Sequence, residues 1–195
     1  MSLGRPRAFD VDKALDQALQ VFWAKGYEGA SLTDLTTAMG INRPSLYAAF
    51  GNKEELFRKA LDRYAEGPAA HVCEALDEPT ARGVVERLLG SIADSLSDPR
   101  NPRGCLMVQG ALSCSDTAEP IRQELISRRA VSQDQLRRRF ERALAEGDLP
   151  AGTDTADLAR YVTTISHGMS IHAAGGAGRD ELRRVVEMAL RAWPT

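Results

Sequence analysis

The sequence predicts an all-α protein of about nine helices, with an N-terminal three-helix helix-turn-helix domain followed by a larger helical domain. Apolar residues recur three and four positions apart through most of the chain, which is the period of a helix with one buried face. No segment alternates apolar and polar residues between turn signals, as a half-buried strand would. Gly and Pro separate the periodic segments, because both residues end helices.

The first helix is predicted over residues 10–25. Its apolar positions share one face: Val11, Ala14, Leu15, Ala18, Leu19 and Phe22. Gly26 follows as the expected C-terminal cap. Asp10, Asp12 and Asp16 gather at the beginning of the segment, where the helix dipole favours negative charge.

Two short helices joined by a tight turn come next. Ser31, with Asp34 three residues later, forms a start similar to a capping box, and Gly40 ends this helix. A further helix begins at once, since Asn42 suits an N-cap and Pro44 suits a first helical turn. Two helices this short need a third one to cover them, so the three predict a helix-turn-helix module.

The second helix of such a pair lies in the major groove of duplex DNA. Here that recognition helix is residues 42–50, which leaves Arg43, Ser45 and Tyr47 free to face outward. The module therefore predicts a protein that binds double-stranded DNA.

A block of residues between positions 9 and 60 adds a more specific pattern. Its members are Phe22, Lys25, Gly26 and Tyr27, then Ser31 to Leu35, then Ser45, Leu46, Tyr47, Phe50, Lys53, Glu54, Glu55, Leu56 and Phe57. As a block this pattern is highly specific, and it resembles the tetracycline-repressor (TetR) family. The resemblance implies an all-helical homodimer whose N-terminal domain binds operator DNA and whose C-terminal domain dimerises and binds an inducer.

The resemblance also implies which residues of the module contact DNA. Base edges are reached by Thr33, Arg43, Pro44 and Ser45, and phosphates are held by Tyr47 and Lys53. The N-cap residues Ser31 and Asn42 complete the set predicted for this surface.

A short basic arm, Gly4-Arg5-Pro6-Arg7, precedes the first helix. Arg5 and Arg7 can lie in the neighbouring minor groove, where the negative potential attracts arginine. The alternative is a frayed, disordered terminus that does not contact DNA. Because the net charge of the chain is −2 at pH 7, DNA binding has to come from placed cations rather than from bulk charge.

Six further amphipathic segments follow. Their predicted ranges are 53–76, 80–97, 104–114, 118–146, 154–174 and 179–193. We expect a DNA-binding domain over residues 1–53 and a ligand-binding and dimerisation domain over residues 54–195. The helix that begins near Lys53 joins the two and is the expected lever between them.

The last two helices are the predicted dimer interface. Their apolar stripes are Leu158, Val162, Ile165 and Met169 on one helix, and Leu182, Val185, Ala189 and Trp193 on the other. Paired across a twofold axis, these helices would form a four-helix bundle. Periodicity alone equally allows both stripes to pack inside one chain, and the family resemblance favours the dimer.

An unknown small-molecule inducer is expected in a mostly apolar cavity of the second domain. Its candidate residues are Tyr64, His71, Met107, Tyr161, His167 and Met169, with ordinary packing as the competing interpretation for each. His167 and His172 stand five positions apart on different helix faces, so no metal site is expected, and no cofactor is implied.

The three cysteines are Cys73, Cys105 and Cys114. They form no C-x-x-C pair, so neither a zinc site nor a disulfide framework is predicted. Cys105 follows a proline-containing loop and is predicted in the first turn of a helix, where the dipole and Arg103 would favour the thiolate. Cys105 is thus a redox candidate, and the alternative is a small apolar side chain in the core.

The expected function is a homodimeric transcription regulator, most often a repressor in this family, released from a near-palindromic operator by its inducer. Two alternatives remain: a regulator that senses electrophiles or oxidants through Cys105, and a ligand-binding dimer without DNA binding. An enzyme is disfavoured, because no nucleophile elbow, phosphate loop, metal-ligand spacing or paired carboxylates occur in a recognisable context. No apolar run approaches the roughly 18 residues of a membrane span, so a cytoplasmic protein without a membrane partner is expected.

Overall fold

The computed structural model describes residues 9–112 and 115–194, and the regular secondary structure in these residues is all helical, which confirms the predicted fold class. The ten α-helices of this part of the chain are α1 (Val11–Gly29), α2 (Leu32–Met39), α3 (Arg43–Phe50), α4 (Lys53–Glu66), α5 (His71–Glu74), α6 (Ala81–Leu96), α7 (Leu106–Gln109), α8 (Glu119–Ala145), α9 (Thr155–Ala174) and α10 (Arg179–Arg191). Single 3₁₀ turns occupy Ala75–Asp77 and Asp116–Ala118.

Side-chain caps fix the starts of the helices in the N-terminal module. Asp34 N donates to Ser31 Oγ at 3.0 Å while Asp34 Oδ2 accepts from Ser31 N at 3.0 Å, which completes the predicted capping box. Asn52 and Glu55 form a second such box at the start of α4. Gly40 ends α2 in the left-handed region at φ 65°, a conformation that glycine reaches without strain.

The first helix continues past its predicted end. Gly26 leaves helical geometry at φ 70° and ψ 179°, but α1 resumes and runs on to Gly29. A Cβ on Gly26 would lie 3.2 Å from the carbonyl oxygen of Gly110, and Tyr27 N donates to that same oxygen at 2.8 Å. Gly26 therefore marks a kink that brings α1 against the segment around α7.

Most later segments follow the predicted ranges, and two do not. The segment 53–76 breaks after Glu66 and continues as α5 and a 3₁₀ turn, because Gly67 and Pro68 interrupt the helix. The segment 104–114 shortens to α7, which lies between Gly104, at φ 85°, and Gly110. None of the described helices combines the length and the apolar character that crossing a membrane requires.

Two apolar cores hold the helices together. The first core joins α1–α4 and also takes in residues from α7 and α8 and the chain between them: Leu106, Ala111, Ile121 and Leu125. The second core surrounds α6 and gathers α8, α9 and α10. Arg139, on α8, is buried against the turn and loop that precede α6, where it donates to the carbonyl oxygens of Leu76, Glu78 and Pro79.

Candidate nucleic-acid interface and effector cavity

The outer face of α3 is polar and open to solvent. Its exposed positions, with the N-cap residue before them, are Asn42, Arg43, Pro44, Tyr47 and Ala48, while Ser45 is half-buried. Asn42 Oδ1 accepts from Ser45 N at 2.9 Å and so fixes the start of the helix. Leu46 and Phe50 are buried in the first core, which anchors α3 against α2 and α4 and leaves its opposite face available to a groove.

Two predicted base-contacting residues from different helices meet on this surface. Arg43 Nη2 donates to Thr33 Oγ1 at 3.3 Å across the turn between α2 and α3, and both side chains are exposed. The turn therefore brings a guanidinium and a hydroxyl together at one edge of α3. Arg5 and Arg7, the predicted basic arm, lie outside the residues that the structure describes.

The two lysines of the family pattern are engaged within the chain. Lys53 Nζ lies 4.5 Å from the centroid of the Tyr27 ring, and burial lowers the pKa of this lysine. Lys25 Nζ lies 2.7 Å from Asp34 Oδ1, and hydrogen bonds from Lys25 and Ser31 lower the pKa of Asp34 to about 2. The Tyr27 ring thus holds the Lys53 ammonium beside the start of α4, where a phosphate could reach it.

A cavity of about 190 Å³ lies between α4 and the helices α5–α9. Four of the predicted ligand residues line it: Tyr64, His71, Met107 and His167. The other two do not. Tyr161 is 41% exposed on the outer side of α9, and Met169 is buried in the second core, so the prediction is corrected at both positions.

The polar groups of the cavity are close to one another. Tyr64 Oη donates to Cys105 Sγ at 3.4 Å, and burial raises the pKa of the Tyr64 hydroxyl. Arg129 Nη1 donates to the carbonyl oxygen of Met107 at 2.6 Å. Burial and the Arg129 charge both lower the pKa of His167, so this imidazole is neutral at pH 7. Burial likewise lowers the pKa of His71.

Cys105 is the N-cap of α7, a helix of only four residues, rather than part of its first turn. Arg103, the predicted neighbour of the thiol, is exposed, and its guanidinium lies beside Gly176. The cation that reaches the Cys105 segment is Arg129, on another helix, through its hydrogen bond to the carbonyl oxygen of Met107. The expected role of Arg103 is therefore wrong, and sequence spacing carried no signal for Arg129 because the two residues meet only in the folded chain.

The segment that carries Cys105 is also bonded to the DNA-binding module. Trp23 Nε1 donates to the carbonyl oxygen of Gly104 at 2.8 Å, in addition to the bond between Tyr27 and Gly110 described above. The Trp23 ring also packs edge-to-face on Tyr64, with centroids 4.8 Å apart. The cavity wall and α1 are thus in direct contact.

The predicted dimer stripes are largely internal. Val162, Met169, Leu182, Ala189 and Trp193 are buried in the second core, and Leu158 and Ile165 are half-buried against it. The five buried side chains belong to the chain's own core, so the prediction that they face a partner is corrected for these five. Val185, at 39% exposure, is the exception. The outer apolar residues of α9 and α10 are Tyr161, Ile171, Val185 and Met188.

Within residues 9–112 and 115–194, no group of three or more His, Cys, Asp or Glu side chains is placed to hold a metal ion. His167 lines the cavity, whereas His172 is exposed on α9.

Known proteins are similar to this chain in sequence and fold. Residues 14–60 match the family described as "Bacterial regulatory proteins, tetR family", and residues 81–189 match "Tetracyclin repressor-like, C-terminal domain". The chain is 37% identical to the HTH-type transcriptional repressor ComR of Escherichia coli (strain K12), over 99% of this chain and 93% of ComR. It is 31% identical to the HTH-type transcriptional repressor BdcR of the same organism, over 98% of this chain and 93% of BdcR.

Solved structures show the same architecture. A cysteine variant of the TetR family transcriptional regulator CifR, complexed with 26-bp double-strand operator DNA, has a TM-score of 0.95 and 46% sequence identity. That similarity covers 98% of this chain and 100% of the CifR chain. A regulator from Rhodococcus sp. RHA1 is 44% identical, with a TM-score of 0.65, over 93% of this chain and 97% of that one.

Proposed function

The chain belongs to the tetracycline-repressor family of DNA-binding transcription regulators, and from this membership we propose that it is a homodimeric repressor released from a near-palindromic operator by a small molecule. The observation that carries the proposal is the exposed polar face of α3, in a chain similar to a regulator solved on its operator DNA. Two copies of α3 related by a twofold axis would read two half-sites of inverted sequence.

The outer faces of α9 and α10 support the dimer. Tyr161, Thr164, Gly168 and Ile171 follow one another at spacings of three and four along α9, and all are exposed or half-exposed. Val185 and Met188 continue the surface on α10, where Met188 is 68% exposed. Large apolar side chains this open to water mark an interaction surface. We therefore place the interface on these outward faces.

The contacts around α7 support a route from the cavity to the DNA. A ligand in the cavity would touch Tyr64 and the Cys105 segment, both of which contact Trp23 on α1. A ligand that favours a different position of this segment would shift α1, and with it the spacing of the two recognition helices. The lever would then consist of α4 and the α7 segment together.

A second candidate function is thiol sensing by Cys105. This thiol lines the cavity together with Arg129, and Tyr64 donates a hydrogen bond to it. The thiolate is the reactive form of cysteine. An electrophile with an activated double bond would alkylate that sulfur: a C–S bond forms at the electrophilic carbon, and the neighbouring carbon takes up a proton from solvent. Replacing Cys105 by Ser separates the two versions: operator release by an electrophile survives if the thiol only packs, and is lost if it reacts.

The test of the proposal is selection of fragmented genomic DNA by the purified full-length protein, followed by sequencing of the retained fragments. A repressor of this kind enriches a few sites that share an inverted repeat. The matched control is Arg43→Ala, which we expect to lose this enrichment. A wild-type protein that retains no site above background would instead support a ligand-binding dimer that no longer binds DNA.

A further inference from the structure

The cavity contains a cation that no carboxylate of the described chain neutralises. Arg129 extends from α8 into the cavity wall, and its one hydrogen bond among the described residues goes to the carbonyl oxygen of Met107, at 2.6 Å. A guanidinium has five N–H donors, so one bond leaves most of them unused. Burial lowers the pKa of Arg129, which reflects the cost of removing this charge from water.

The neighbouring arginine is different. Arg128 also lines the cavity, but its side chain lies 2.7 Å from Asp62 and 2.7 Å from Glu124. Its charge is therefore balanced by two carboxylates. Of the two arginines in the cavity wall, Arg129 alone lacks an acidic partner within the described chain.

The rest of the described cavity wall contributes no negative charge. None of its residues is Asp or Glu, and its surface comes largely from aliphatic side chains such as Val72, Leu88, Ile92 and Leu136. The positive charge of Arg129 also lowers the pKa of the neighbouring His167. A partly buried cation beside a neutral imidazole, in apolar surroundings, is stabilised by an anion that enters the cavity.

We propose that the cavity binds a small organic acid, whose carboxylate pairs with Arg129 while its apolar part lies against the aliphatic wall. A guanidinium matches a carboxylate with two parallel hydrogen bonds, which an uncharged ligand cannot offer. The apolar wall favours an organic acid over inorganic phosphate. The volume of about 190 Å³ lies below the range of about 300–1,000 Å³ for drug-sized ligands, so the acid is compact. This inference rests on the proposed function, since it names the class of the effector.

The experiment measures binding to the purified full-length protein without DNA, by titration calorimetry and by the shift in thermal unfolding temperature. The probes are butyrate, hexanoate and benzoate, each compared with its neutral amide, and inorganic phosphate. We expect at least one acid to bind about tenfold or more tightly than its amide, because hydrogen bonds to a charged group contribute more than neutral ones. Inorganic phosphate should bind weakly.

Three variants locate the effect. Arg129→Gln should remove the preference for the acid, and Arg129→Lys, which keeps the charge and a donor to Met107, should keep part of it. Arg138→Gln is the matched control, because Arg138 lies on the same helix with a side chain 72% exposed and paired with Asp134. It should bind the acid as the wild type does. If Arg129→Gln unfolds, the comparison of Arg129→Lys with the wild type still measures the contribution of the guanidinium.

The proposal is overturned if no acid in the panel binds, if acids and amides bind equally, if phosphate binds as tightly as the acids, or if the preference survives in Arg129→Gln. Failure of the proposed function looks different. An acid that binds through Arg129 but does not release the operator would support the acid site and contradict induction through the cavity.

Discussion

The Arg43 guanidinium is exposed, and a hydrogen bond to Thr33 holds it on the surface that is expected to face the DNA bases. Its bond to Thr33 Oγ1 across the turn holds the side chain at the edge of α3 in the free protein. On DNA, acceptors of the bases can replace the threonine hydroxyl without large movement, because both groups already lie on the exposed surface. Arg43 is therefore the side chain where we expect sequence preference to be concentrated.

We expect Arg43→Ala to weaken operator binding by about 1–3 kcal/mol and to relax base preference at one position of each half-site. Fluorescence anisotropy with the operator and with single-base variants measures both effects. Arg100→Ala is the control, because Arg100 is 86% exposed in the loop after α6, away from α3. Unchanged affinity and base preference in Arg43→Ala would move the recognition surface elsewhere.

Lys53 is expected to act through charge alone. Its ammonium is positioned by the Tyr27 ring near the start of α4, and no base-reading geometry is implied for it. Lys53→Ala should weaken binding to all duplexes similarly and lower the slope of log affinity against log salt by about one. A titration over a series of salt concentrations, with operator and non-operator DNA, checks this. A loss confined to the operator would contradict a pure phosphate contact.

Among the helices, α7 is short but heavily connected. It lines the cavity, and the glycines on either side of it accept hydrogen bonds from Trp23 and Tyr27 of α1. Helices α6, α8 and α9 follow the predicted segments closely, because apolar periodicity sets the length of a long helix. Periodicity does not say which buried face meets which neighbour. The bond from Trp23 to Gly104 and the contact of Arg129 with the Cys105 segment depend on that packing. They could not be predicted from the sequence alone.

Trp23→Phe tests the connection between α1 and the α7 segment. The substitution keeps an aromatic ring against Tyr64 but leaves the buried carbonyl oxygen of Gly104 without its donor. We expect the free energy of unfolding to fall by about 1–3 kcal/mol, measured by urea denaturation. Trp193→Phe is the matched control, since Trp193 is buried against Phe140 in the second core through a ring contact. An equal loss in both variants would mean that ring volume alone explains the effect.

For the proposed dimer, the outward faces of α9 and α10 are the surfaces where we expect two chains to meet. Stripe residues such as Val162 and Leu182 are buried inside the chain, while Ile171 and Met188 remain open to water. The sequence thus predicted which helices carry apolar stripes but not which stripe the chain's own core buries, because both faces of these helices contain apolar residues. Burial in the folded chain distinguishes the inward apolar stripe from the outward one.

Met188→Glu should therefore split the dimer while the chain stays folded, because it places a charge in an apolar interface without a partner. Sedimentation velocity and circular dichroism together measure assembly and fold. Val131→Glu is the control, since Val131 is 56% exposed on α8. Ile165→Asp, the choice that the sequence suggests, should instead destabilise the fold, because Ile165 packs against the second core. A folded, dimeric Met188→Glu variant would place the interface elsewhere.

The composition of the first core limits how this protein can be recombined with its relatives. Leu106, Ala111, Ile121 and Leu125 complete a core that otherwise belongs to α1–α4. A chimera that joins the first four helices to the remaining helices of another regulator would have to match these four side chains and the two glycine carbonyls that receive Trp23 and Tyr27. Grafting therefore transfers DNA specificity only if the α7 segment and the first turns of α8 are moved together with α1–α4.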